Sequence, residues 1–426
     1  MTPSAQQIRS QMNTISEAPG KVWFWELAAA VIDADRCVRC GACVAACPTD
    51  SIGIGSDDLP RLVKMCTGCS LCWDFCPRGG LAYEATWAAA NGAGEVSWSE
   101  GAGGEGSPST PIDEWLLAAG PNSPGLGAVV ELMAARVRRS DTLHEIGAQD
   151  GGVVTAILLA SLAAGEIDGA VVAREDPDHH WKGVPHLATT AAELMEAAGS
   201  FYNQTMALAS LDVIAAGLPA GARIALVGTP CEIEGISALQ ARRWRRGSSA
   251  VEAVVLTIAL LCTKSFDYHK LMVEELSERR GLSLSDIGKV DVVRGRMIVE
   301  HRSGARLVDE PVKDFHRAAL RGCDECADFL GRSADISIGS VGSGAGYSSV
   351  IVRTQAGARA FDEARDLLEV CELEAPEALA RLDRSDRAVA LATLQRPFAA
   401  GGSMFVDFAE HEAFYDGTDR APNWRK

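Results

Sequence analysis

Two cysteine blocks near the N-terminus constrain the fold of this 426-residue chain more than any other feature. Both have the form Cys-x-x-Cys-x-x-Cys-x-x-x-Cys-Pro, and they begin at Cys37 and Cys66. With this spacing, three thiolates surround one corner of a cubane, while the fourth, carried past a proline turn, reaches a second cubane. The pattern therefore predicts two 4Fe–4S clusters. A zinc site or a disulfide framework is the alternative, but zinc ribbons pair cysteines two and two and do not need this pattern.

The same spacing is typical of a bacterial-type ferredoxin, in which each fourth cysteine ligates the other cluster. We expect the first cluster to be held by Cys37, Cys40, Cys43 and Cys76. We expect the second cluster to be held by Cys66, Cys69, Cys72 and Cys47. Because the cysteine pattern is duplicated, the two halves of this module form an internal repeat.

Thirteen cysteines are present, so five lie outside the two blocks. Cys231 ends a Gly-Thr-Pro-Cys turn, Cys262 ends a long apolar run, and Cys323 and Cys326 form a Cys-x-x-Cys pair. These four are suited to a third cluster assembled from distant parts of one domain. The alternative is that Cys231 and Cys262 are small buried hydrophobic residues. Cys371 is predicted to lie in the core.

The charge and the hydropathy of the chain limit the partners and the location that it can have. The formal net charge of −17 disfavours nucleic acid as a partner, since nucleic acid needs a basic surface. The basic stretch 242–246 is the exception, and we interpret it as a solvated helix end. There is no apolar run of membrane-spanning length and no signal-peptide pattern. With this many thiolates, these features predict a cytoplasmic protein without direct membrane insertion.

Composition also divides the chain into segments. An N-terminal extension contains the aromatic residues Trp23, Phe24 and Trp25, and a segment rich in Gly, Ser and Glu follows the cysteine blocks. Such a linker is expected to let the ferredoxin head move. The predicted segments are an extension (1–29), a ferredoxin domain (30–88), a Gly/Ser-rich linker (89–125), a catalytic domain (126–400) and a C-terminal tail (401–426).

Beyond the linker, apolar patterns indicate alternating helices and strands. Helices are expected over 129–138, 151–164, 191–198, 204–216, 266–279 and 357–368. Strands are expected over 167–173, 222–228, 253–261, 336–339 and 349–352, with a hairpin formed by 290–299 and 305–308. The fold class is therefore α/β: a two-cluster ferredoxin module fused to an α/β domain with a largely parallel or mixed sheet.

Three turns outside the ferredoxin module are candidates for cofactor contact. Residues 148–155 form a glycine-containing turn into a helix, whose free N–H groups suit a phosphate or a flavin edge. Residues 228–231 follow a strand, where α/β folds bind ligands. Residues 339–346 form a glycine-rich loop that allows close approach of a ring or a phosphate. A tight turn and a flexible hairpin are the alternatives for the first and third segments. No dinucleotide fingerprint stands in a convincing context.

Several short stretches, in their order along the chain, resemble those of a known protein family. They are Gln-Asp-Gly-Gly-Val-Val-Thr at 149–155, Val-Gly-Thr-Pro-Cys at 227–231, Leu-Cys-Thr-Lys-Ser-Phe-Asp-Tyr at 261–268, Cys323-x-x-Cys326 with Ala-Asp-Ile-Ser-Ile-Gly at 334–339, and Val-Ile-Val-Arg-Thr at 350–354. In these stretches the chain resembles the family of coenzyme F-420 hydrogenase/dehydrogenase beta subunits. The family often has a basic residue at the position of Phe201 and an Asp at that of Ser340. Because the chain differs from the family at these two positions, the resemblance leaves the identity of its substrate open.

The resemblance implies an FAD in the catalytic domain and a third 4Fe–4S cluster on Cys231, Cys262, Cys323 and Cys326. It implies flavin contacts at Gln149, Asp150, Gly151, Gly152, Val153, Thr155, Ser200, Tyr202, Asn203 and Thr205. From the other two turns we add Thr229, Pro230, Gly342, Ser343 and Gly344 as cofactor-binding candidates.

The predicted function is an F-420-dependent oxidoreductase. FAD would exchange hydride with coenzyme F-420, and three 4Fe–4S clusters would carry single electrons to ferredoxin or a redox partner subunit. One alternative is a reductase of another conjugated substrate, such as a tetrapyrrole, with the same cofactors. Another is a non-autonomous electron-entry subunit of a larger complex. The sequence leaves homo- or hetero-oligomerisation and the direction of electron flow open.

No strong acid or base is required by this chemistry, so catalytic residues stay unassigned. His269, Lys264 and Tyr202 are candidates for a proton partner by position alone. His179 and His180 lie beside aspartates, which would also fit a metal site, but we interpret this run as a polar loop.

Overall fold

The computed structural model describes residues 23–79, 126–138, 148–241 and 249–394. The predicted linker, the C-terminal tail, the basic stretch 242–246 and most of the N-terminal extension lie outside the described residues. Two bodies make up the described part. One is a small cysteine-rich module, and the other is an α/β domain around a large mixed sheet, as the sequence predicts.

The cysteine-rich module is built twice from the same backbone pattern. Arg39 and Gly68 occupy equivalent places in the two cysteine loops, and both have positive φ angles, 56° and 65°. Gly41 and Ser70, also equivalent, have φ angles of 80° and 68°. Each loop runs into a short helix, α2 (Ala42–Ala45) or α3 (Leu71–Asp74). Strands β1 (Ile52–Ile54) and β2 (Pro60–Leu62) form an antiparallel hairpin between them.

Helix α1 (Phe24–Leu27), continued by a π-helix (Ala28–Ile32), packs on this module. Phe24 is buried in one apolar cluster with the cysteines of both loops. Trp23 lies against the backbone of Gly68 and stacks on Trp25, with ring centroids 4.8 Å apart. The aromatic patch of the extension is therefore part of the ferredoxin-like module, although Trp25 stays 43% exposed.

An eight-stranded sheet organises the α/β domain, in the order β13-β3-β12-β11-β7-β6-β4-β5. Its strands are β3 (Glu131–Val137), β4 (Gly169–Glu175), β5 (Gly183–Ala188), β6 (Ile224–Gly228), β7 (Val254–Leu260), β11 (Ile336–Gly339), β12 (Ser348–Val352) and β13 (Leu368–Cys371). The central strands β4, β6, β7 and β11 are parallel, and the remaining pairs are antiparallel. The carboxyl ends of neighbouring parallel strands therefore meet at one edge of the sheet.

Helices cover both faces of this sheet. They are α4 (Val153–Ala163), α5 (Ala191–Glu196), α6 (Ala207–Ala215), α7 (Pro230–Ala241), α8 (Ser249–Ala253) and α9 (Gln355–Ala364). Helices α4, α5 and α9 share one apolar cluster with the sheet. Helices α6, α7 and α8 share a second cluster, which also contains Val38, Cys40, Ala42 and Phe75 of the cysteine-rich module. The module is thus packed into the same core as one helical layer.

Polar contacts fix the module as well. A buried ion pair joins Arg36 to Glu325, and another joins Arg39 to Asp267. Backbone segments also approach closely, because a Cβ at Gly41 would lie 2.4 Å from the amide nitrogen of Ala209. These contacts hold the module against the α/β domain in this structure, and movement of the ferredoxin head on the linker stays a prediction.

A second sheet stands apart from the large one. It is antiparallel and three-stranded: β8 (Ile287–Val293), β9 (Arg296–His301) and β10 (Arg306–Pro311). A π-helix (His269–Arg279) and a 3-10 helix (Val312–Ala318) pack on it around its own apolar cluster. The predicted hairpin is therefore wrong in detail. Residues 290–299 hold two strands and a turn, in which Arg294 and Gly295 have positive φ angles.

Two sequence predictions fail near the edge of the large sheet. The pattern of 129–138 predicts a helix, but Glu131–Val137 is a strand paired on both sides, with β12 and β13. Its Leu, Met and Ala residues are good helix formers, and tertiary pairing overrides that preference. Cys371 is predicted to lie in the core, but it is exposed. It ends β13, the outermost strand on that side, so little protein covers it.

The longest described helix, α10 (Glu377–Leu394), closes the domain. Leu379 and Ala390 of this helix pack with Phe329 and Leu330 in a further apolar cluster. Its charged residues lie in the first two thirds of the helix, and one of them, Asp383, forms a fully buried ion pair with Arg332. Among the described residues, no helix has both the length and the apolar character needed to cross a bilayer.

Candidate functional site

Sheet topology brings two distant cysteines together. Strand β6 ends at Gly228 and parallel strand β7 at Leu260, and Gly228 lies opposite Ala259 in the register. Cys231 follows the first strand by three residues and Cys262 follows the second by two. Both thiols therefore lie at the carboxyl edge of neighbouring parallel strands, where α/β folds place their ligands.

The Cys-x-x-Cys pair reaches the same edge through backbone contacts. The amide of Leu320 donates to the carbonyl of Ser265 (2.9 Å), and the amide of Cys262 donates to the carbonyl of Phe329 (3.2 Å). The amide of Ser265 also points to the Cys323 sulfur at 3.5 Å. These contacts hold Cys323 and Cys326 at the same edge of the sheet as Cys231 and Cys262. We call these four residues the third cysteine group.

The module carries the other eight cysteines of the predicted ligand set. The first cysteine group is defined as Cys37, Cys40, Cys43 and Cys76. The second is defined as Cys47, Cys66, Cys69 and Cys72. Backbone amides donate to sulfur in equivalent places of the two repeats: Arg39 to Cys37 and Gly68 to Cys66, both at 3.4 Å. A recess lined by the four thiols of the second group, with Thr49 and Ile52 among its other walls, opens beside the β1–β2 hairpin.

Burial raises the pKa of several of these thiols. Desolvation raises the pKa of Cys37 to about 12 and that of Cys326 to about 11. It also raises the pKa of Cys40, Cys231 and Cys262 well above the usual value. Thiolates in such surroundings need a cation, which iron supplies, and thiolates and amide-to-sulfur hydrogen bonds are typical of 4Fe–4S sites. The three groups thus fit such clusters, while no three His, Cys, Asp or Glu in the described ranges lie close enough to hold a single metal ion.

The three groups lie next to one another. Cys40 belongs to the buried apolar cluster against which Cys231 and Cys323 pack, which joins the first group to the third. Cys43, Cys47, Cys72 and Cys76 share another cluster, which joins the first group to the second. The order in space is third, first, second. Cys69 of the second group is exposed, whereas Cys40 is buried.

Two neighbouring side chains contact the third group. Gln204 donates from Nε2 to the hydroxyl of Thr229 (2.7 Å) and to the sulfur of Cys231 (3.6 Å). The Thr229 hydroxyl also lies 3.2 Å from that sulfur. Buried Glu232 accepts hydrogen bonds from the amides of Ala207 and Thr229, at 2.9 and 3.0 Å. Burial still raises the pKa of Glu232, despite these donors.

A predicted flavin segment, the turn before α4, lies beside β8. The side chain of Gln149 donates to the carbonyl of Val290 (3.1 Å), and Lys289 reaches the carbonyl of Gln149 (3.3 Å). The amide of Gly151 donates to Ser348 at 3.2 Å, and a Cβ at Gly151 would lie 2.6 Å from the carbonyl oxygen of Ala135. Only a glycine fits this turn. Val153 and Thr155 lie in the first turn of α4.

A second predicted flavin segment meets the same strand. Tyr202 donates its hydroxyl to Asp291 (3.1 Å) and accepts from the amide of Val292 (2.9 Å). Burial, and then Asp291, raises the pKa of Tyr202. Asp150 keeps contact with solvent, yet partial desolvation, and then the Asp291 carboxylate, raises its pKa to about 6. The structure thus brings Gln149, Asp150 and Tyr202 together at β8.

Other predicted contacts have structural partners. The side-chain amide of Asn203 forms two hydrogen bonds with the backbone of Gly183. Its Oδ1 accepts from the Gly183 amide at 2.7 Å, and its Nδ2 donates to the Gly183 carbonyl at 2.8 Å. Thr205 donates to Glu232, and Pro230 begins α7. Ser200, beside Phe201, is half-buried. A role for these residues at a flavin stays a prediction.

The glycine-rich loop lies between β11 and β12, as predicted. Its Gly342 carbonyl accepts from the amide of Ala375 (2.9 Å), and Ser343 donates to the carbonyl of Tyr347 (2.8 Å). A Cβ at Gly344 would lie 2.8 Å from Glu374. The loop therefore packs toward the start of α10, and it adjoins the Gln149 turn only through Ser348 among these contacts.

The histidine and lysine candidates fall into two settings. Lys264 pairs with Asp324 beside Cys323. His269 is exposed and pairs with Glu274. His179 and His180 pair with acidic neighbours on an exposed loop, consistent with its interpretation as polar.

Sequence reasoning missed several residues of this region. Asp291 lies within the predicted hairpin and Lys289 just before it, and no motif marks either residue. Gln204 lies in the segment 199–205 that the resemblance assigns to the flavin, but its contact with Cys231 was not predicted. Arg78 follows the second Cys-Pro directly, and that position was the one available signal for it.

Family comparisons agree with this architecture. Residues 30–81 match a 4Fe–4S dicluster domain. Residues 132–212 match the N-terminal family model of the coenzyme F420 hydrogenase/dehydrogenase beta subunit, and residues 221–377 match the corresponding C-terminal model.

Individual relatives extend over most of the chain. One subunit of the F-420H2 dehydrogenase of Methanosarcina mazei is 28% identical over 81% of this chain and 86% of its own. The beta subunit of the coenzyme F-420 hydrogenase of Methanosarcina barkeri is 30% identical over 57% of this chain and 80% of its own. A chain of the F-420-reducing NiFe hydrogenase complex from Methanosarcina barkeri matches the fold with a TM-score of 0.57 at 28% identity, covering 63% of this chain and 91% of that chain.

Fold and cysteine groups together define an iron–sulfur α/β protein, in which a dicluster module is packed onto a mixed-sheet domain. The chain belongs to the family of coenzyme F-420 hydrogenase/dehydrogenase beta subunits. The resemblance noted in the sequence is thereby confirmed.

Proposed function

We propose that this protein is an F-420-linked oxidoreductase that exchanges hydride with coenzyme F-420 and single electrons with a redox partner. Membership of the family and the dicluster module support an F-420-linked redox role. When bound, FAD would convert between hydride and single-electron transfer, and three 4Fe–4S clusters would supply the one-electron steps.

The observation that carries this proposal is the continuous series of cysteine groups. The third group lies at the ligand-binding edge of the sheet, and Cys231 packs against the apolar cluster that contains Cys40 of the first group. The first group shares a buried cluster with the second, which ends at exposed Cys69. Such a series would conduct electrons from the catalytic domain to the surface.

The chain's own residues would hold the two-electron cofactor next to the third group. Gln149 and Tyr202 are fixed by hydrogen bonds to β8, and Gly151 and Gly152 let the backbone turn tightly before α4. The amides at the start of α4 would favour the negative charge of a phosphate or a reduced ring. Gln204 would link this region to the sulfur of Cys231.

The second group would be the exit. Between β2 and Cys66 of this group lie Val63 and Met65, which are 58% and 86% accessible. Exposed apolar side chains next to a cluster suit transient contact with another protein. We propose that ferredoxin or a partner subunit takes or gives electrons here.

A role as an electron-entry subunit is the second candidate. The relatives named above are subunits of dehydrogenase and hydrogenase enzymes. Size analysis of the purified protein tests this. A stable monomer with full F-420H2 turnover would exclude obligate dependence on a complex.

The direct test is anaerobic oxidation of F-420H2 with a viologen acceptor. We expect turnover with bleaching of flavin and cluster absorbance. Cys262→Ser should reduce viologen reduction at least tenfold, whereas Cys371→Ser, at an exposed cysteine outside the three groups, should not. If the loaded protein bleaches with another reduced donor but not with F-420H2, the alternative of a different conjugated substrate is favoured.

A further inference from the structure

Arg78 is an unusual arginine because its side chain is fully buried, with an accessibility of 0%. It directly follows Cys76-Pro77 of the first group. Its Nε donates to the carbonyl of Gly322 (2.6 Å), and its Nη1 donates to the carbonyl of Pro77 (3.0 Å). Gly322 precedes Cys323 of the third group. One guanidinium thus bridges the backbone beside a ligand of one group and the backbone beside a ligand of another.

The backbone on both sides of this bridge is held by Arg36. Arg36 donates from Nη2 to the backbone carbonyl of Arg78 (2.9 Å), and the same guanidinium is bound to Glu325. A Cβ at Gly322 would lie 2.0 Å from the carbonyl oxygen of Arg36. The backbone of Arg78 and the backbone at Gly322 are thus both held against Arg36.

The position of the charge relates Arg78 to two of the three groups. Its hydrogen bonds to Gly322 and Pro77 place the guanidinium beside the backbone that leads to Cys323 of the third group and away from Cys76 of the first.

We propose that Arg78 is a positioning residue for electron transfer: a permanent buried cation, shared by the first and third clusters, that raises the reduction potential of both. This inference rests on the proposed function, because it assumes clusters on those eight cysteines. Reduction adds one negative charge to a cluster, and a buried cation favours that charge strongly where water does not screen it. Arginine suits the task because it stays protonated.

The test is a redox titration of the whole protein, followed by electron paramagnetic resonance of the reduced clusters. In Arg78→Gln, the ratio of reduced to oxidised cluster at a fixed potential should fall about tenfold or more for two of the three clusters, which is a shift of ~59 mV per tenfold for one electron. The cluster of the second group should shift less than threefold. Cys69→Ser, in otherwise unchanged protein, identifies the signal of that cluster.

Two controls separate charge from structure. Arg78→Lys keeps the charge, so both ratios should stay within about threefold of the unsubstituted protein. Arg279→Gln removes one positive charge from an exposed side chain paired with Glu275, and no ratio should change. Unchanged ratios in Arg78→Gln, at normal iron content, overturn the proposal. Absence of the clusters in the unsubstituted protein would instead overturn the proposed function.

A second measurement applies if Arg78→Gln does not retain iron. Protein labelled with ¹⁵N in the arginine guanidino nitrogens is reduced, and the nitrogen modulation of the two cluster signals is recorded by pulsed resonance. We expect weaker modulation in Arg78→Lys than in the unsubstituted protein. Equal modulation in the two proteins overturns the proposal, because the guanidinium would then not lie beside the clusters.

Discussion

Arg36 and Glu325, separated by 289 positions, form a bidentate ion pair in which Nε and Nη2 donate to the two carboxylate oxygens at 2.7 and 2.9 Å. Both side chains are buried, with accessibilities of 4% and 1%. Arg36 also donates to the carbonyl of Ala30 at 2.7 Å. The pair therefore fastens the ferredoxin-like module to the segment that carries Cys323 and Cys326.

Breaking this pair should destabilise the protein strongly. Glu325→Gln leaves the Arg36 charge buried without its carboxylate, which costs about 3–5 kcal/mol in comparable buried pairs. The measurement is anaerobic urea unfolding followed by fluorescence. Asp57→Asn is the matched control, since the Asp57–Arg61 pair is 59% and 51% exposed and should contribute no more than about 1 kcal/mol. Equal effects of the two substitutions would show that the buried pair does not hold the module.

Gly322 should tolerate no larger residue. A Cβ there would lie 2.0 Å from the Arg36 carbonyl oxygen and 2.9 Å from Val38, so the backbone must shift. Gly322→Ala should cost about 1–3 kcal/mol and lower the iron content, because Cys323 is the next residue. Gly217→Ala is the control, as its nearest neighbour would be 3.6 Å away. Unchanged iron content and stability in Gly322→Ala would contradict this close approach.

Tyr202 should matter for flavin retention. Tyr202→Phe removes the donor to buried Asp291 and the acceptor for the Val292 amide, at a cost of about 1–3 kcal/mol. We expect a lower ratio of flavin to iron in the purified protein. Tyr268→Phe, in the same apolar cluster, loses only a hydrogen bond to the His180 carbonyl and should retain flavin. A normal flavin ratio in Tyr202→Phe would place the cofactor elsewhere.

Asp150 should make stability depend on pH. Its folded pKa of about 6 lies above the ordinary value of 3.8, so the folded protein binds this proton more tightly than the unfolded chain. Its contribution to stability is therefore present at low pH and is lost as pH rises through about 6. Between pH 5 and pH 7 the apparent melting temperature of the unsubstituted protein should fall relative to Asp150→Asn. A constant difference between the two proteins over this range would contradict the assignment.

Residue spacing predicted the parts of the site that depend on local sequence. The duplicated cysteine blocks led to the two-fold module, and the equivalent positive φ angles of Arg39 and Gly68 are the structural counterpart of that repeat. Apolar runs predicted β6 and β7 because buried parallel strands are continuously apolar. The positions of Cys231, Cys262, Cys323 and Cys326 suggested a third group, and the family resemblance implied the same four ligands.

The long-range contacts of the fold and of the site could not be predicted from the sequence. Glu131–Val137 resembles a helix in composition, and only pairing with β12 and β13 makes it a strand. Asp291 carries no motif, and the roles of Asp291 and Arg78 both depend on which segments fold beside them. The order of the three cysteine groups likewise follows from the packing of the module on α6 and α7, which no local pattern specifies.

The iron content of anaerobically purified protein tests the central claim most directly. Three 4Fe–4S clusters predict about twelve irons per chain, accompanied by one flavin. Cys262→Ser should fall to about eight irons, while Cys371→Ser should keep about twelve. A content of about four irons in the unsubstituted protein, or zinc in place of iron, would contradict the account.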